Sequence, residues 1–124
     1  MLVVDDQRPF RVAAAAVLRR TPGFELAGEA ASGEEGLEQA AALGPDLVLM
    51  DISMPGMGGI AAARALSATP HPPVVFFCST YAAADLPPEA AAAGVAAYLS
   101  KDQLAGDLLA RLWAEHDPAA PAPR

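Results

Sequence analysis

Five short strand-like stretches, four of them apolar runs and one (24–30) alternating, are interleaved with five stretches of helical character along these 124 residues, and this succession predicts an α/β fold on one parallel sheet. Residues 47–50 and 74–78 are apolar without interruption, as strands buried on both faces are. Right-handed crossovers leave few strand orders for such a chain, and 2-1-3-4-5 in a doubly wound sheet is a common one.

The first strand is expected at Leu2-Val3-Val4, running straight into Asp5-Asp6; it starts so near the first residue that its beginning is expected upstream. Pro9-Phe10 opens a helix with Phe10, Ala14, Val17 and Leu18 on its apolar face, stopped by Thr21-Pro22-Gly23. Residues 24–30 predict a second strand at the sheet edge. Ser32-Gly33-Glu34-Glu35 reads as a capping box, with Leu37, Ala40 and Leu43 turned inward and a stop at Gly44-Pro45. The third strand, 47–50, delivers Asp51 to its C-terminal edge, ahead of the loop Ile52-Ser53-Met54-Pro55-Gly56-Met57-Gly58-Gly59. Ile60, Ala63 and Leu66 mark a short third helix, and residues 74–78 a fourth strand ending in Ser79-Thr80. A fourth helix is expected over 85–93, poor in apolar surface and therefore weakly docked, closed by Gly94. Residues 95–99 form the last strand, followed by Ser100-Lys101; Leu104, Leu108 and Leu112 then stripe a final helix. Residues 1–116 thus make one domain, and the Pro/Ala-rich residues 117–124 are expected to be extended or disordered, like the opening of a linker.

Composition narrows the function. A net charge of −7 argues against nucleic-acid contact by this domain, because phosphate binding needs clustered cations. No apolar run approaches the roughly 20 residues that span a bilayer, and the N-terminus carries no export signal, so a soluble cytoplasmic protein is expected. The lone Cys78 fits a reducing compartment and reads as a small buried hydrophobe. His71, between prolines, and His116, near the tail, are not placed to act as bases.

In the 2-1-3-4-5 order, the C-terminal ends of strands one, three, four and five meet near the topological switch point, bringing together Asp5-Asp6, Asp51, Ser79-Thr80 and Lys101. Each has an ordinary explanation alone: Asp5 or Asp6 as a helix cap, Asp51 as strand punctuation, Lys101 as a solvated lysine. Together, three carboxylates on one rim raise one another's pKa unless a cation lies between them, and an all-oxygen set with room for water suits Mg²⁺. A carboxylate nucleophile, a divalent metal, a hydroxyl donor and an ammonium describe an aspartyl-phosphate site.

Asp5-Asp6, Asp51 with Met54-Pro55-Gly56-Met57 and Gly59, the hydroxylated pair Ser79-Thr80, and Tyr98 with Lys101 after Gly94 resemble the receiver (CheY-like) domain of two-component response regulators. Asp102 after Lys101 is a feature of the NarL/FixJ-type subfamily. The resemblance implies a flavodoxin-like (βα)5 fold and a switch without enzymatic turnover, apart from self-phosphorylation from small donors and self-dephosphorylation. It makes Asp51 the phosphoacceptor, fed by a histidine kinase, with Mg²⁺ held by Asp6 directly, Asp5 through water, Asp51 and the Ser53 backbone carbonyl. Counting back from Gly94 and Lys101 puts Ser79, rather than Thr80, at the switch hydroxyl. Lys101 is implied to contact the phosphoryl group and Tyr98 to be the aromatic switch. Thr80 is bulkier than the usual residue there, and Tyr81 is expected to influence autodephosphorylation. The resemblance further implies an output through the fourth helix, fifth strand and fifth helix, to a DNA-binding domain or a partner protein; Trp113, beside the leucine stripe, is a candidate for a partner or homodimer surface. The rival readings are a haloacid-dehalogenase-like phosphatase, disfavoured because Ser53 stands where that class has a second Asp, and a phosphorylation-independent interaction module.

Overall fold

The computed structural model describes residues 1–80 and 86–116. In chain order it contains β1 (Leu2–Val4), α1 (Arg8–Arg19), β2 (Gly28–Ala30), α2 (Gly33–Leu43), β3 (Leu47–Met50), α3 (Gly58–Ser67), β4 (Val74–Ser79), α4 (Pro88–Ala91), β5 (Ala97–Ser100) and α5 (Gly106–His116). All strand pairs are parallel, and the order is β2-β1-β3-β4-β5, as expected.

Alternation along the strands explains why the apolar runs are unbroken. Leu2, Val4, Val48, Met50, Val75 and Phe77 face one core, with Ala62, Ala63 and Leu66 of α3 above them. Val3, Leu47, Leu49, Phe76, Cys78 and Leu99 face the other, packed on Ala14 and Leu18 of α1 and Leu109 of α5. The sheet interior therefore sees no water on either side.

Five expectations need correction. The edge strand β2 covers 28–30 rather than 24–30, because β1 offers it a ladder of only three residues, Leu2 opposite Gly28 to Val4 opposite Ala30. Leu43 does not point inward; it is 44% exposed and lies over Gly28, where an added Cβ would meet its Cδ1 at 2.7 Å. The fourth helix is a four-residue turn, since Pro88 forces Pro87 into an extended conformation (ψ 144°) and Gly94 takes φ +78°; its expected start at Asp85 lies outside the described residues, as do Tyr81 and residues 117–124. Leu104 is not on the last helix. A 3-10 turn over Lys101–Gln103, capped by Ser100, intervenes, and Leu109 is the fully buried residue of α5, with Leu104, Leu108 and Leu112 packed at the margin of the core. The last strand is also displaced, to 97–100 instead of 95–99. The caps fare better: Ser32 Oγ accepts from Glu35 N–H at 3.1 Å, and Gly44 closes α2 in the left-handed region.

Candidate phosphoryl-acceptor site

Sheet register brings the acidic residues together. Val4 pairs with Met50, so Asp5 and Asp51 leave adjacent strands at the same level; Asp51 N–H donates to Val4 O at 2.9 Å and Asp5 N–H to Ala30 O at 3.0 Å. Asp5 and Asp51 are buried, Asp6 is exposed, and the three offer carboxylate oxygens within 4.8 Å of one another. On the next strands Ser79 pairs with Ser100, so Lys101 emerges one residue later. Its Nζ lies 2.7 Å from Asp5 Oδ2 and 3.6 Å from Asp51 Oδ2.

Residues that pattern reading passed over complete the enclosure. Gln7 N–H donates to Asp5 Oδ1 at 2.8 Å, and Gln7 Oε1 accepts from Lys101 Nζ at 3.3 Å. Arg11 Nη1 donates to the Asp5 carbonyl at 2.7 Å while its Nε pairs with Glu29 at 3.3 Å, tying the acidic loop to α1 and β2. Glu34 Oε1 accepts from Met57 N–H at 2.7 Å and anchors the loop after Asp51 to the first turn of α2. Sequence gave a signal only for Gln7, which directly follows the acidic pair.

The family model of the response regulator receiver domain matches residues 1–113. The chain belongs to that family. As a receiver domain it is a phosphorylation-dependent signalling switch, and the phosphatase reading is not favoured. It is 41% identical over 110 residues to a protein-glutamate methylesterase/protein-glutamine glutaminase of Alkalilimnicola ehrlichii, covering 86% of this chain and 28% of that protein. It is 40% identical over 102 residues to the response regulator GacA of Pseudomonas viridiflava, covering 82% and 47%. The chain thus spans less than half the length of these curated relatives. In structure it superposes on the signal receiver domain of NarL from Mycobacterium tuberculosis with TM-score 0.83 and 29% identity, covering 93% of each chain.

Electrostatics in the receiver's rim follow from crowding. Burial, and then the charge of Asp5, push the Asp51 carboxyl up to about 6, against the opposing pull of Lys101 and of the Ser53 backbone N–H bonded to it. Burial works to lower the Lys101 ammonium, but contact with Asp5 and the charge of Asp51 outweigh it and leave its pKa raised. Asp5 Oδ2 is buried without a well-directed hydrogen bond, although the ammonium is near it. A cluster of hard oxygen donors holding excess negative charge is a fit for a small divalent cation.

The remaining site residues fall as follows. Ser79 is buried at the end of β4 and Thr80 is exposed just beyond it. Ser53 is exposed in the loop after β3. Tyr98 is half-buried on the α4 side of the sheet, where it lines a hollow of about 410 Å³ with Leu86, Pro88 and Val95. Its hydroxyl pKa is raised, chiefly by burial. Cys78 is buried beside the rim, and burial pushes its thiol up to about 12. His71 and His116 line a groove of about 1050 Å³ shared with Trp113, at the opposite end of the strands, beside Asp46 and Val74 where β3 and β4 begin. No helix among the described residues is long and apolar enough to cross a membrane.

Lys101→Met is expected to lower unfolding free energy by about 2 kcal/mol at pH 7.5 without divalent cations, because two buried carboxylates lose their counter-charge. Urea unfolding measures this. The loss should shrink toward pH 5, where Asp51 takes up a proton.

Proposed function

We propose that Asp51 is the residue phosphorylated, by a histidine kinase, and that Mg²⁺ bound by Asp5, Asp6, Asp51 and the Ser53 carbonyl is the cofactor. The observation that carries the reading is the convergence of Asp5, Asp6, Asp51 and Lys101 on one small space at the strand ends. The transfer breaks the P–N bond of a phosphohistidine and forms a P–O bond to the Asp51 carboxylate, the imidazole nitrogen keeping the electron pair and taking a proton. The metal would supply positive charge to the phosphoryl oxygens as they move. Lys101 supplies a second charge from the other side, and Ser79, the buried hydroxyl, donates to a phosphoryl oxygen; Thr80, exposed, is the alternative donor.

Movement of Ser79 toward the new anion and packing of Tyr98 into the hollow behind it would shift the α4–β5–α5 surface between two states. That surface would then control an output domain, DNA-binding or enzymatic, or a separate partner, in the cytoplasm. The similarity to GacA and to a methylesterase supports an attached output without selecting its kind. A second copy of the chain is a further candidate partner.

Incubation with Mg²⁺ and acetyl phosphate or phosphoramidate, followed by intact-mass measurement, tests the reading. The wild-type chain should gain one phosphoryl group and Asp51→Asn none. Uptake by Asp51→Asn equal to wild type, or no uptake by wild type with either donor, overturns it.

A further inference from the structure

Lys101 is held by more than carboxylates. Its Nζ stands 4.7 Å from the centroid of the Phe10 ring, in the first turn of α1. The lysine side chain is only 12% exposed. An ammonium largely withdrawn from water, over the negative face of an aromatic ring, is attracted more strongly than a solvated one. The flexible four-carbon stem of a lysine has many rotamers, and a ring under its head removes most of them.

We infer that Phe10 is a positioning residue: its ring face holds the Lys101 ammonium between Asp5 and Asp51, ready for the incoming phosphoryl group. The inference rests on the role given to Lys101 above. The ring also packs against the core formed with α1 and α5, so part of its contribution is ordinary burial. Leucine would keep most of that apolar cover and lose the ring quadrupole, whereas tyrosine would keep both.

Two measurements separate positioning from packing. In the metal-free, unphosphorylated protein, the Lys101 ε-methylene protons should show an upfield ring-current shift by NMR. Phe10→Leu should return them to ordinary lysine positions, and Phe10→Tyr should preserve the displacement. In phosphoryl uptake from acetyl phosphate with Mg²⁺, Phe10→Leu should slow the reaction about three- to tenfold and Phe10→Tyr less than about twofold. In a Lys101→Ala background, Phe10→Leu should have no further effect. A Lys101 shift that ignores the loss of the ring overturns the inference, and so does equal slowing in both backgrounds, which would mark Phe10 as packing alone. If wild type takes up no phosphoryl group, the functional reading fails by itself, and the NMR comparison still decides whether Phe10 holds the ammonium.

Discussion

Gly59→Ala is expected to lower the melting temperature by roughly 10 °C or more and to abolish phosphoryl uptake in whatever remains folded. A Cβ at this position would lie 1.8 Å from the Asp51 carbonyl oxygen, 2.7 Å from its carbon and 2.9 Å from Ile52 Cα. These are backbone atoms, so no rotamer change can relieve the overlap. Gly59 N–H also donates to Ile52 O at 2.9 Å, which fixes the start of α3 against the end of β3. Making room means moving that helix away from the strand that carries Asp51, a cost of at least about 3 kcal/mol. In a domain of this size that corresponds to the stated change in melting temperature. Gly44→Ala is the control: nothing lies within 4 Å of its Cβ position, but φ is +57°, so only about 1 kcal/mol of backbone strain is expected. Thermal unfolding of both variants checks the contrast. Equal, small losses would mean that the loop after Asp51 is soft and does not hold the carboxylate in place.

The same contrast explains what the sequence could and could not reveal. Strand identity, order and the four strand ends carrying Asp5-Asp6, Asp51, Ser79 and Lys101 were legible because parallel buried strands need unbroken apolar runs, and the topology then dictates which ends meet. Element ends were harder. Alternation in residues 24–30 could not show that the partner strand is three residues long, and an i, i+4, i+8 leucine stripe could not show that Ser100 and Gln103 cap a 3-10 turn before the helix starts. Contacts between distant segments left no local mark. Phe10 looked like one apolar residue of a helix face, yet it meets Lys101, 91 positions later, because both follow strand ends on the same rim of the parallel sheet and the long lysine side chain reaches across. Glu34 looked like one more acidic residue in the first turn of a helix, yet its carboxylate serves the Met57 amide.

Asp51→Asn should stabilise the metal-free protein by about 1 to 2 kcal/mol above pH 6.5. The folded-state carboxyl titrates at about 6, against an ordinary value of 3.8, so between those values the folded chain binds more protons than the unfolded chain. Wild-type stability therefore falls as pH rises through this window and stays low above it. The displacement corresponds to about 3 kcal/mol at most, and screening by water at the mouth of the site reduces it to the stated range. Asparagine keeps the shape and removes the charge, so its advantage should disappear below about pH 4, where the wild-type carboxyl is protonated in both states. Millimolar Mg²⁺ should reverse the order, because a cation bound to the folded state stabilises wild type by mass action and binds the variant less well. Urea unfolding at pH 4 and 7.5, with EDTA or Mg²⁺, provides all four comparisons. If Asp51→Asn is no more stable than wild type at pH 7.5 in EDTA, the carboxylates are not in conflict, and the electrostatic demand for a metal between Asp5, Asp6 and Asp51 disappears with that conflict.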